Sequence, residues 1–237
     1  MDNVTFETLK SALAELRQES KDDPQYPFYL ARLASAFYEL YERIGDIEPL
    51  HEAIALYQEA AGLDVEYHPL YPALLVSLGN ALLSLYRRTG NLQFLEEAIA
   101  RYRDTLRVEP DLRLEAEDNS IYLATLGSLG NALLALYERT GDTWALEEAV
   151  ARYREALRLV SKNHPLYPAL VGNLGNVLAL LHERTGDIQD LKEATALMRE
   201  ALAFAHEGHP DYPFMLNNLG NALTALYQRT GDLKALE

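Results

Sequence analysis

The side chains in this chain best suited to recognition are carboxamides that recur in register. Asn80, Asn131, Asn176 and Asn221 each follow a Leu-Gly pair, and Ser35 holds the same place in the first copy. Three positions earlier the series reads Arg32, Ser77, Ser128, Asn173 and Asn218. A carboxamide both donates and accepts, so a row of them can pair with the N–H and C=O groups of an extended peptide. Ser77, Asn80, Ser84 and Arg88 fall on one side of a helix at about 100° per residue, which makes the polar stripe continuous. The same groups could instead hydrogen-bond between neighbouring helices and hold the repeat geometry. The sequence leaves both roles open.

Other chemistry is poorly supplied. Arg43, Arg88, Arg139, Arg184 and Arg229 recur two residues before a glycine. They read either as a basic ladder for a carboxylate-rich ligand or as cations that suit a helix C-terminus. His68, His164 and His209 stand in separate loops a whole repeat apart, too far to share an ion. His206 and His209 are close, but HEGH lacks the HExxH spacing of a zinc helix. There is no cysteine, no GxSxG and no glycine-rich phosphate loop. Acidic pairs such as Glu96-Glu97 and Glu147-Glu148 belong to the solvated first turn of a helix. The expectation is a protein that is not an enzyme and uses no metal and no cofactor.

The carboxamides belong to a repeated segment. LGNALLALYERTGD (Leu129 to Asp142) recurs at Leu78 to Asn91, Leu174 to Asp187 and Leu219 to Asp232, with a weaker copy at Leu33 to Asp46. Most units open on Tyr-Pro (Tyr26-Pro27, Tyr71-Pro72, Tyr167-Pro168, Tyr212-Pro213), and proline is tolerated in the first turn of a helix. A first helix of about eighteen residues, five turns at about 3.6 residues each, then reaches Gly45, Gly90, Gly141, Gly186 or Gly231. A glycine just past the last turn can take the left-handed conformation that closes a helix. Asp46, Asn91, Asp142, Asp187 or Asp232 follows, each able to cap the next helix. In that second helix Leu95, Ala98, Ile99, Tyr102 and Leu106 form an apolar stripe. Most of the 15 tyrosines fall at such core spacing, and Trp144 opens a second helix.

The marker glycines are 45 residues apart, except for 51 between Gly90 and Gly141. The surplus is an acidic insertion, Glu109 to Ser120, in a loop between repeats; that unit has Tyr122-Leu123 in place of Tyr-Pro and Ser120 as its expected cap. Loops absorb such insertions at small entropic cost. A helix carrying Phe6, Leu9, Leu13 and Leu16 on one face precedes the array and covers its end. The pattern predicts an all-α chain: a right-handed α-solenoid of stacked antiparallel helix hairpins, each covering its neighbour's apolar face. It reads as one domain over 1–237, with a covering helix at 1–22, full repeats at 23–67, 68–118, 119–163 and 164–208, and a partial repeat at 209–237. The last second helix has barely begun at LKALE, so Leu219, Leu223, Leu226 and Tyr227 are expected to be uncovered, and a homo-oligomer could form through that end.

Charge narrows the partners. The net charge of −15 comes from 21 Lys+Arg against 36 Asp+Glu. Such a surface repels phosphate backbones and anionic bilayers, so neither nucleic acid nor a membrane is expected. Residues 1–20 are amphipathic and lack an apolar signal core. No apolar run approaches the roughly 20 residues of a membrane span, which points to the cytoplasm.

The residues Leu78-Gly79, Ala98, Tyr102 and Pro110 resemble a tetratricopeptide repeat. So do Leu129-Gly130, Ala149, Tyr153 and Ala156, and Leu174-Gly175, Ala194, Met198 and Ala201. The usual unit has about 34 residues; here the first helix is longer. Long units of this kind look like the arrays that precede CHAT-type protease domains, and similar ones occur in bacterial and fungal signalling proteins. Gly172-Asn173-Leu174-Gly175-Asn176 looks like the GNLGN of cell-polarity scaffolds of the partner-of-inscuteable type. There, as in kinesin light chains, an asparagine ladder grips a peptide backbone. The resemblance implies an interaction scaffold whose concave groove takes a peptide or partner segment through Asn80, Asn131, Asn173, Asn176, Asn218, Asn221, Ser77 and Ser84. The alternatives are a regulatory or sensor segment of a larger effector such as a CHAT-type protease, and a self-assembling structural solenoid.

Overall fold

The computed structural model describes residues 5–19, 22–63, 68–108, 120–205 and 212–231. Those residues form ten helices and no strand. Pro110, His206, His209, Asp232, the LKALE segment and all but the last residue of the Glu109–Ser120 insertion lie outside them.

Two compact units divide the chain, Met1–Thr125 and Leu126–Glu237, and the division falls inside one helix. The first unit contains α1 (Phe6–Glu19), α2 (Tyr26–Ile44), α3 (Ile47–Ala61), α4 (Tyr71–Thr89), α5 (Leu92–Val108) and the start of α6 (Ser120–Thr140). α2 with α3, and α4 with α5, make hairpins, and α3 packs on α4. The covering helix α1 buries Leu9 and Leu13 and sets Phe6 edge-on to Phe37 of α2, 5.7 Å between centroids. Its outer side is tied to α3 by Arg17 to Glu59, 2.6 Å, and by Lys10 to Glu52.

The second unit contains the rest of α6, α7 (Thr143–Leu159), α8 (Tyr167–Thr185), α9 (Ile188–Phe204) and α10 (Tyr212–Thr230). α7 packs on α8, α8 pairs with α9, and α10 lies on α9 and beside α8. α6 has 21 residues and is apolar enough, by length and composition, to cross a membrane. That corrects the expectation that no run approaches such a span. Half of its apolar stretch is buried, with Leu126, Leu129, Ala132 and Leu133 inside the fold.

The helix boundaries follow from local chemistry. Pro27, Pro72 and Pro168 sit in first turns, where the missing N–H has no intrahelical acceptor to lose. At the other end Gly90 takes φ 70°, and its N–H bonds the Tyr86 carbonyl. A side chain there would meet open space but would have to adopt a backbone conformation that costs L-residues about 1 kcal/mol. The threonine before the glycine closes the turn. Thr89 Oγ1 donates to the Leu85 carbonyl at 2.8 Å and accepts from the Asn91 N–H at 3.3 Å. Thr140 and Thr185 make the same pair of bonds. Asp46, Asn91 and Asp187 then cap the next helix through the N–H two residues on, whereas the Asp142 carboxylate makes no such bond. Ser120 is the first residue of α6 itself.

Candidate functional site

Each hairpin is held by one side chain passing from its second helix to its first. In α5, Tyr102 is fully buried, with its ring lying on Gly79 of α4. Its phenol emerges beyond the glycine and donates to Asn80 Oδ1 at 2.8 Å. In the next hairpin Tyr153 covers Gly130 and donates to Asn131 Oδ1 at 2.7 Å. The first hairpin varies the theme: Ala34 replaces the glycine, and Tyr57 meets the Ser35 hydroxyl at 2.9 Å. The small residue is there because an aromatic ring fills the space a side chain would need. The tyrosine hydroxyl therefore reaches the row of polar groups on the first helices.

Those groups also join successive first helices. Asn173 Nδ2 donates to Asn131 Oδ1, and Asn218 Nδ2 donates to Asn176 Oδ1, both at 3.1 Å. In the first unit Tyr38 of α2 bonds Ser84 of α4 at 2.9 Å. Ser77 hydrogen-bonds Tyr57 of the hairpin before it. Asn80, Asn131 and Asn221 are exposed, while Asn173, Asn176, Asn218, Ser77 and Ser84 are half-buried. Hydrogen bonding between helices is thus present in most of the series. It leaves each amide with capacity to spare, since a carboxamide offers two donors and two lone pairs.

Burial pushes the Tyr153 phenol above its ordinary range, against a hydrogen bond with Asn173. Burial raises Tyr57 as well, opposed by hydrogen bonds with Ser35 and Ser77. A raised folded-state value means the fold holds the proton more tightly. This stability is fully present below the unfolded phenol value of about 10 and is lost as pH rises through the folded value. An alkaline titration followed by tyrosinate absorbance should show a late group of tyrosines that ionise together with loss of helical circular dichroism. Smooth ionisation of every tyrosine in an intact fold would refute this.

The remaining sequence candidates have local roles. Arg88 reaches the Gly45 carbonyl of the preceding turn at 3.3 Å, and Arg139, Arg184 and Arg229 are exposed. His68 and His164 each accept from the N–H two residues on, Leu70 and Leu166, at 3.2 Å, so their rings shape the turn that opens α4 and α8. No group of three potential metal-binding side chains occurs among the described residues. Of the C-terminal residues expected to be uncovered, Leu219 is buried and Leu223 and Leu226 are half-buried. They turn toward Leu191 and Met198 of α9. Tyr227 is exposed as expected, and Phe214 and Leu216 of α10 are exposed as well.

His182 is not singled out from the sequence, and Met198 is read there only as part of the repeat pattern. His182 is buried, and its Nδ1 lies 2.6 Å from the Asp187 carbonyl. A carbonyl only accepts, so Nδ1 carries the proton there. The signal was available, since the other copies have Tyr41, Tyr86, Tyr137 and Tyr227 at this place. Met198 likewise stands where Tyr57, Tyr102 and Tyr153 stand. It lines a cavity of about 320 Å³, and a second cavity of about 510 Å³ has Asn176 and Phe214 in common with that one.

Four helix hairpins flanked by α1 and α10, with a small residue in the first helix facing a tyrosine in the second in three of them and a methionine in the fourth, define an all-α helical-repeat protein. Residues 73–108 and 123–166 match the family model described as tetratricopeptide repeat, so those parts of the chain are tetratricopeptide repeats. Solved structures agree on the fold. That of BtubC (BKLC) from P. vanneervenii is 24% identical with a TM-score of 0.63, covering 97% of this chain and 84% of the other. YrrB, described as a TPR protein with an unusual peptide-binding site, is 18% identical with a TM-score of 0.58, covering 96% and 88%. A putative kinesin light chain from Podospora anserina with nearly identical TPR-like repeats is 20% identical, also at 0.58, covering 87% and 92%. Comparison with curated proteins finds no match.

Proposed function

We propose that this chain is a protein-interaction scaffold that binds an extended segment of a partner along the amide-bearing side of its first helices. The observation that carries the reading is the in-register pairing of Asn131 with Asn173 and of Asn176 with Asn218, each across 42 residues. Amides fixed in this way present their remaining donors and acceptors at the spacing of successive helices, on the order of 10 Å. An extended chain rises about 3.3 Å per residue, so each helix would meet it about every third residue. The family to which the repeats belong, and the peptide-binding site named for YrrB, support the same reading.

The test is a pull-down with the chain and with a variant combining Asn131→Ala and Asn176→Ala, the bound segments being identified by mass spectrometry and remade as peptides. The expected result is a loss of affinity of about tenfold or more for the double variant, the size of one or two lost hydrogen bonds that leave partners unpaired. Unchanged affinity in a variant that keeps its helical spectrum would defeat the proposal.

A further inference from the structure

One hairpin departs from the tyrosine pattern, and the space around it differs accordingly. In α4–α5 and α6–α7 the phenol reaches the asparagine and seals the gap between helices. In α8–α9 the corresponding Met198 stops beside Gly175, its Cγ 3.0 Å from where a Cβ would stand. Asn176 Oδ1 takes a hydrogen bond from Asn218 of the next helix, as Asn131 does from Asn173, but none from a tyrosine of its own hairpin. A small void of about 30 Å³ beside Met198 has lining residues in common with both larger cavities, and Gly172, Ala201, Phe214 and Met215 line it. Phe214 is 61% exposed, so this apolar wall opens to solvent. The larger cavities fall in the range of sites that take small ligands or side chains, about 300–1,000 Å³.

The rim is of two kinds. Asn173 and Asn176 line the larger cavity, and Asn218 and Asn221 line the other. Glu138 of α6 and Glu183 of α8 also line the second one. They hold equivalent places in successive repeats, a place that is Glu42 and then Arg87 in the first unit, so two successive carboxylates there occur only in the second unit's pair. The cavity of the first unit, about 200 Å³, has Arg32 and Tyr57 in its wall where the second unit has Asn173 and Met198, and no carboxylate among the described residues lines it. The second unit therefore combines an apolar recess, amides able to hold a backbone, and paired negative charge.

We infer that the recess beside Met198 and Phe214 takes one large apolar side chain of a bound peptide, with a lysine or arginine of that peptide directed toward Glu138 and Glu183. This rests on the peptide-binding reading above and adds a sequence requirement to it. Amides suit a peptide backbone because they match both its donors and its acceptors. The carboxylates, in a chain of net charge −15, select a cationic neighbour and repel an acidic one.

A display library of short random peptides, selected on the intact chain, tests this. Peptides with one large aliphatic or aromatic residue near a lysine or arginine should be enriched. Synthetic versions should lose roughly 10- to 100-fold in affinity when that residue becomes alanine, the equivalent of one apolar side chain left out of its pocket. Met198→Tyr restores the pattern of the other hairpins, so it should fold and bind these peptides with a similar loss. Phe214→Ala, at an exposed site, is the second variant and should also weaken them. Glu138→Gln with Glu183→Gln should abolish the preference for a cationic neighbour. Equal affinity for Met198→Tyr and Phe214→Ala, or enrichment without an apolar residue, overturns the pocket. If those peptides still depend on Asn131 and Asn176, the broader reading survives. A chain that selects no peptide refutes both.

Discussion

Tyr153→Ala should cost about 3–5 kcal/mol of folding stability, the range for deleting a well-packed aromatic side chain, whereas Tyr153→Phe should cost only about 1 kcal/mol. The side chain is fully buried, lies on Gly130 and ends in a hydrogen bond to Asn131. Truncation to alanine leaves a cavity between α6 and α7 that neither helix can close without moving its neighbours. Phenylalanine keeps the ring in place and removes only the hydroxyl. Asn131 would then retain its bond from Asn173. Urea unfolding followed by circular dichroism measures both variants. Equal costs would mean that the hydroxyl, and not the ring, holds the hairpin.

The second large effect is a change of sign between two copies of one motif. A Cβ added at Gly130 would stand 2.5 Å from Tyr153 Cζ, a distance that forces ring or backbone to shift. Gly130→Ala should therefore destabilise by about 1–3 kcal/mol, as overpacked cores do. At Gly220, in the same Leu-Gly-Asn sequence, nothing among the described residues lies within 4 Å. There alanine gains only its helix propensity, so Gly220→Ala should stabilise this chain by about 0.5–1 kcal/mol. Midpoints of thermal unfolding should move in opposite directions. A parallel shift would show that the glycine is required by the backbone and not by the ring facing it. Combining Gly130→Ala with Tyr153→Met should cost less than the sum of the two changes, since the residues touch and their effects couple.

Much of this architecture is legible in the sequence because its signals are local. Tyr-Pro starts helices and Gly stops them, each through the conformation of a single residue, and the apolar stripes assign the buried faces. The pairing of Tyr102 with Asn80 is less legible. The sequence places that tyrosine at core spacing, and only the close contact over Gly79 shows its hydroxyl reaching the polar row. The Asn131–Asn173 bond depends on how one hairpin stacks on the next, which periodicity does not specify. Leu219 was misjudged for a related reason. Its burial depends on how α10 packs against Leu191 and Met198 of α9, which periodicity does not specify. Met198 and His182 were visible as departures from repeated tyrosines, but a departure acquires meaning only when the surrounding space is known.

The threonine–glycine corner inside the α4–α5, α6–α7 and α8–α9 hairpins restricts how this chain could change in length. The hydroxyl of Thr89, Thr140 or Thr185 bonds backward to one helix and forward to the residue that leads into the next. An extra residue there would break both bonds and turn the following helix by about 100°, carrying its tyrosine away from the glycine it must face. The connections between hairpins already vary in length, the marker glycines being 51 residues apart around Glu109–Ser120 against 45 elsewhere. Insertions and deletions among natural variants should therefore gather at one class of joint and spare the other. A designer adding a new segment has the same choice of where to cut.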